Sequence, residues 1–127
     1  MNHEHISNLI RDDFGILPQF KTRGETLEVV SPACMANRDI VSVYVKEQDG
    51  GGYVCAAELK FWRLSHSQKK KRAKLMDEFF IKRKSGSDWF YRIVDKEKLI
   101  GSAIADICDF AVACSWLFGV KPGDDNE

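Results

Sequence analysis

The run Ile40-Val41-Ser42-Val43-Tyr44-Val45 alternates with the two-residue period of a β-strand, placing Val41, Val43 and Val45 on one face and Ile40, Ser42 and Tyr44 on the other. Its β-branched content suits a pleated, buried surface, which predicts a central strand. The residues that follow, Gln48-Asp49-Gly50-Gly51-Gly52, are a hairpin signal, because a tight turn needs positive φ and glycine adopts it without steric cost. Tyr53 to Leu59 then pairs back as the next strand and runs on into the aromatic pair Phe61-Trp62. The rest of the chain has to extend or cover the sheet that this hairpin starts.

Upstream, Ile6, Leu9, Ile10 and Phe14 recur at helical spacing from about residue 3, with Gly15 placed to stop the helix. Pro18 breaks the pattern. Phe20 to Val30 reads as a strand, a turn at Arg23-Gly24-Glu25 and a second strand ended by Ser31-Pro32, before a loop around Asn37-Arg38. Downstream, Ser67 is the expected N-cap of a basic helix in which Leu75, Met76, Phe79 and Phe80 form one buried stripe. Ser85-Gly86-Ser87 is a turn and Trp89 to Val94 an aromatic-rich strand. Asp95 is placed to cap a final helix whose apolar face is Leu99, Ala103, Ile107, Phe110, Ala111 and Cys114, broadened by Ile100, Ile104, Val112 and Leu117. A helix this apolar has to be covered, by the sheet or by a second copy. At 127 residues the chain suits one domain. The expected fold is α+β over residues 1–120: an N-terminal helix, an antiparallel sheet of four to five strands, the basic helix, a strand, and a long C-terminal helix packed on the sheet. Residues 121–127 read as a polar tail.

A formal net charge of zero, from 19 Lys and Arg against 19 Asp and Glu, excludes a uniformly basic coat for nucleic acid and an acidic disordered tail. The charge is segregated all the same. Residues 1–59 carry five basic and nine acidic side chains (net −4), residues 60–84 ten and two (net +8), and residues 85–127 four and eight (net −4). The N-terminal Met1-Asn2-His3-Glu4-His5 lacks the basic and apolar regions of a signal peptide, and no apolar run approaches the ~18 to 20 residues of a bilayer span, so a cytoplasmic location without membrane attachment is expected. Cys34, Cys55, Cys108 and Cys114 include no C-x-x-C pair and three sit in apolar stretches, which predicts small buried hydrophobes rather than a zinc site, His3 and His5 lying near a chain end. Cys108 and Cys114 fall about 240° apart round a helix and point to different faces.

Two patterns carry candidate chemistry. The ten basic side chains of the +8 segment, Lys60, Arg63, Lys69, Lys70, Lys71, Arg72, Lys74, Lys82, Arg83 and Lys84, form a candidate binding surface. Such a run can neutralise phosphates, with Phe61, Trp62 and His66 near enough in sequence to stack on bases, or dock on an acidic protein; its bland counterpart is a solvated helix face. The second pattern is Asp39 with Glu58-Leu59-Lys60, the residue types of a PD-(D/E)xK nuclease, in which two carboxylates hold a divalent cation and the lysine positions the attacking water. The hairpin at residues 48–52 brings the start of one strand beside the end of the other, the relation this chemistry needs. Mg²⁺ enters only under that alternative, and no other cofactor or metal is expected. Gly50-Gly51-Gly52 lacks the following helix and Lys-Ser/Thr of a phosphate loop, and His66 between Ser65 and Ser67 does not make a nucleophilic triad. Asp106 and Asp109 share a helix face, and offer an acidic surface or a partner for the basic helix.

The stretch Glu28-Val29-Val30-Ser31-Pro32, then Arg38-Asp39-Ile40-Val41-Ser42-Val43-Tyr44-Val45-Lys46 and Asp49-Gly50-Gly51-Gly52-Tyr53-Val54-Cys55, resembles the phage and prokaryotic family named domain of unknown function eighteen-twenty-eight. That family has an S/T-P-F turn, a D-x-I-x-I-Y-V strand and a G-Y-x-L-T-D-D-G segment. The resemblance runs more loosely through the basic helix, the strand at Trp89–Val94 and the final helix. Where the family has T-D-D-G, this chain has Ala56-Ala57-Glu58-Leu59, which keeps one acid and favours binding over catalysis. The resemblance implies a small protein of mobile-element origin acting on a host or rival system, such as an inhibitor docking by surface charge on a nucleic-acid-handling defence complex. The expected partner is another protein or complex, with a homodimer or a nucleic acid as the other candidates.

Overall fold

The computed structural model describes residues 1–14 and 18–122; Gly15, expected to end the first helix, and residues 123–127 of the expected tail lie outside the described residues. The elements are α1 (His3–Phe14), β1 (Gln19–Arg23), β2 (Thr26–Cys34), β3 (Ile40–Glu47), β4 (Tyr53–Glu58), α2 (His66–Glu78), β5 (Lys82–Arg83), β6 (Trp89–Val94) and, after a 3₁₀ turn at Glu97–Leu99, α3 (Ile100–Phe118). The fold is α+β. Six antiparallel strands form one sheet in the order β1-β2-β3-β4-β6-β5, with β3 well inside it. The sheet is larger than expected because Lys82 and Arg83 pair with Tyr91 and Phe90 along the free edge of β6. Two charged residues carry no strand pattern of their own; the edge recruits them.

β2 does not stop at Ser31-Pro32. It runs to Cys34 through a register shift between Val30 and Cys34, where the ladder is interrupted and a proline without an N–H is tolerated. The Ser31 hydroxyl accepts the Ala33 N–H there at 3.1 Å.

The N-cap of α2 is Ser65, not Ser67. The Ser65 hydroxyl accepts the Gln68 N–H at 3.2 Å while the Gln68 side chain accepts the Ser65 N–H at 2.9 Å, a reciprocal capping box that Ser67 has no residue to complete. At the other end the Ile81 N–H reaches the Met76 carbonyl at 2.7 Å and Phe80 takes φ 59°, a Schellman closure with phenylalanine where glycine is usual. The expected stripe therefore shrinks to Leu75, Met76 and Phe79, half-buried, while Phe80 turns outward, 71% exposed. Asp95 does not cap α3 either. The 3₁₀ turn intervenes and no side chain caps the helix that follows it.

α3 lies across β2, β3, β4 and β6, with α1 packed against it. Leu27, Val29, Val41, Val43, Val45, Cys55 and Phe90 meet Ile104, Ile107, Phe110, Ala111 and Cys114 in one buried cluster that also holds Ile6 and Ile10. Contrary to the expectation that nothing approaches a bilayer span, the 22 residues Glu97–Phe118 are long and apolar enough to be one by length and composition. In this fold the sheet and α1 pack against that stretch, and 56% of its most apolar 18-residue window is buried, as in the core helix of a folded domain. Gly101 marks the crossing of the two helices: a Cβ there would fall 2.9 Å from the Asp13 Cβ.

Candidate functional site

Because α1 and α3 lie on one side, the other side of the sheet carries no helix among the described residues. Strand register sorts its residues into rows. One row runs Lys21, Glu28, Tyr44, Ala56, Tyr91, Lys82; a second runs Lys46, Val54, Ile93; towards the sheet end Val30 pairs with Ser42 and Glu58 with Trp89. Tyr44 and Trp89 meet edge to face at 5.7 Å, and Ile93 is 51% exposed. Arg23 donates to the buried Glu28 at 2.5 Å, which neutralises the only carboxylate in the first row. Burial, with Glu28 alongside, raises the Tyr44 phenol above its usual range, so the hydroxyl stays protonated. Val54, Ala56, Trp89, Tyr91 and Ile93 line a shallow cleft of about 430 Å³ rimmed by Gln48 and Lys84.

A second cleft, also about 430 Å³, opens at the end of the sheet where β3 begins and β4 ends. Asp39, Glu58 and Lys60 all line it, together with Ser42, Tyr44 and Trp89. The hairpin thus brings the three nuclease-pattern residues to one cleft, as its connectivity requires. Asp39 is held by a local turn: its N–H donates to Asn37 Oδ1 at 3.0 Å, and Asn37 Nδ2 donates to Asp39 Oδ2 at 3.2 Å and to the Val120 carbonyl at 3.1 Å. Among the described residues no group of three His, Cys, Asp or Glu side chains is arranged to hold a metal.

A third cleft, about 380 Å³, lies on the helix-bearing side and is lined by Trp62, Arg63, Lys69, Arg72, Arg83 and Asp88 with Phe61 and Leu64. Arg72 reaches inward from α2 and places its guanidinium over the rings of Phe61 at 5.4 Å and Phe90 at 5.7 Å. Burial lowers its pKa from the usual arginine value and the like charge of Arg83 lowers it further.

No family model matches this sequence, and comparison with curated proteins and with solved structures gave no match.

The ten basic residues do not form one patch. Lys60 goes to the sheet-end cleft, Lys82 and Lys84 to the uncovered sheet face, and Arg63, Lys69, Arg72 and Arg83 to the helix-side cleft. Lys70, Lys71 and Lys74 are exposed along α2. Asp106 pairs with Arg92 of β6 and not with the basic helix, while Asp109 is exposed. Phe61 and Trp62 lie beyond β4, Phe61 bridging to Val120. His66 opens α2 and is exposed. Tyr91, Ile93 and Val54 are site residues that motif reading missed. The alternation in β4 and β6 held the signal, but which alternate set faces solvent depends on where the helices pack.

Proposed function

We propose that the protein is a non-catalytic interaction module, of mobile-element type, that docks its uncovered sheet face on another protein. The observation that carries this reading is a sheet with one helix-free side bearing Tyr44, Val54, Trp89, Tyr91 and Ile93, rimmed by Lys46, Lys82 and Lys84. Partly exposed aromatic and aliphatic residues inside a charged rim are the composition of interface centres. The matching partner has an apolar centre and an acidic rim. The resemblance to a phage family motivates its class, a host nucleic-acid-handling defence complex that the protein inhibits. The test is a tagged pull-down from the host with wild type beside Tyr91→Glu and Ile93→Glu variants that keep the wild-type circular dichroism. A stoichiometric partner lost in both variants supports the reading; a partner that both retain, or self-association through this face in place of a partner, overturns it.

A second reading has one observation in its favour, the shared cleft of Asp39, Glu58 and Lys60. Two carboxylates there would hold Mg²⁺, which would supply Lewis-acid activation for phosphodiester hydrolysis. Incubating DNA and RNA with Mg²⁺ or Mn²⁺ tests it: cleavage abolished by Glu58→Ala supports a nuclease, and intact substrate rejects one.

A further inference from the structure

We infer that the helix-side cleft between α2, β5 and the chain after β4 binds single-stranded nucleic acid, taking a backbone phosphate between Lys69, Arg72 and Arg83 and a base on Trp62. This site lies away from the open sheet face and does not depend on its docking role.

The cleft sets four cations, Arg63, Lys69, Arg72 and Arg83, against one carboxylate, Asp88. Among the described residues none of the four forms an ion pair, whereas Arg23 and Arg92 on the same sheet are each paired with an acid. Bringing like charges together is unfavourable unless anions offset them; beyond the effect of burial, Arg83 acts against the charge of Arg72, and Asp88 opposes this less strongly than Arg83 imposes it. Arg72 is also preorganised. Its guanidinium lies against two aromatic rings, which fixes its planar fork before a ligand arrives; the fork matches a phosphate with two parallel donors.

Trp62 supplies a platform. It is 54% exposed, with the Lys121 ammonium 5.3 Å from its ring and its edge against Gly119, where a Cβ would come within 3.3 Å of Cδ1. A cleft of about 380 Å³ is of nucleotide size. The ligand is a strand rather than a single phosphorylated side chain because positive charge continues beyond the cleft. Lys70, Lys71 and Lys74 stand exposed on the same helix, where successive phosphates gain from them, and the acids of α2, Asp77 and Glu78, are confined to its last turn. A single strand is favoured over a duplex because only unpaired bases offer a face to an indole.

The experiment is fluorescence anisotropy of the full chain with labelled dT and rU 12-mers and a 12-bp duplex, in EDTA, over a salt series. Wild type should bind both single strands more tightly than the duplex, with affinity falling steeply as salt rises. Lys69→Glu/Arg83→Glu should lower single-strand affinity at least about ten-fold and flatten the salt slope by about 1.4, the release expected for two phosphate contacts. Trp62→Ala should weaken binding about five-fold or more with the slope unchanged, because stacking is not ionic. A charge-matched Lys96→Glu/Lys98→Glu variant, at the far end of α3, should bind as wild type. Absence of single-strand binding at low salt, equal affinity for the duplex, or an unchanged Lys69→Glu/Arg83→Glu variant with wild-type circular dichroism overturns the inference.

Discussion

Burial pushes the Cys55 and Cys114 thiols up to about 12 and Cys108 to about 11, while Cys34 is exposed and all four are free. At neutral pH a thiol reagent should therefore modify one cysteine of the native protein and four after denaturation, counted by mass spectrometry. The same shifts set a pH dependence. An unfolded thiol ionises near pH ~8.5, so above that the unfolded chain binds fewer protons than the folded one and stability falls as pH rises. The contribution is complete below the unfolded value and lost as pH climbs towards the folded values of about 11 and about 12. Urea midpoints should drop between pH 9 and 11, and drop less in Cys55→Ala. Phe80 is the other residue whose conformation has consequences. A bulky side chain at φ 59° costs about 1–2 kcal/mol, against about 0.5–1 kcal/mol from the Arg92 guanidinium lying 5.5 Å from its ring. Phe80→Gly should thus raise stability by up to about 1 kcal/mol in urea titration. A large loss instead would show that the ring packs more firmly than its exposure indicates.

The strands repay reading by period and the helix ends do not. β3, β4, β6 and the β1–β2 hairpin were legible because alternation is a property of the strand itself. β5 was not, since its two residues are a strand only by virtue of the edge they meet. Helix ends shifted wherever a cap competed: Ser65 prevails over Ser67 because Gln68 completes its box, and a 3₁₀ turn displaces Asp95 from the start of α3. The crossing of α1 and α3 depends on the missing side chain at Gly101. Alanine is the better helix former by about 1 kcal/mol, yet Gly101→Ala should destabilise the protein by about 1–3 kcal/mol, because its methyl group overlaps Asp13 and forces α1 off α3. Thermal or urea unfolding reads the sign directly. A stabilised variant would mean that α1 shifts freely.

Across the whole molecule, one buried cluster joins α1 and α3 to the sheet, and Leu75, Met76 and Phe79 of the α2 region pack against it, so Trp62, Trp89 and Trp116, which sit at separate places, should report the same unfolding event. Tryptophan fluorescence and far-ultraviolet circular dichroism are expected to give coincident transitions; separated ones would mean that the α2 side unfolds independently. The segregated charge also takes its meaning at this scale. The α+β class, the central hairpin, the burial of three of the four thiols, though not of Cys34, and the existence of a +8 segment were legible in the sequence, because periodicity, turn chemistry and composition are local properties. The sequence also placed Asp39, Glu58 and Lys60 near each other, since a hairpin has one connectivity. Helix packing sets which sheet face is left uncovered, and it divides the basic segment among two clefts, the open face and the outer side of α2. The physical reason is that a strand offers two chemically similar faces and a helix a full circle of directions. Which of these meets solvent is settled by what packs against the other side.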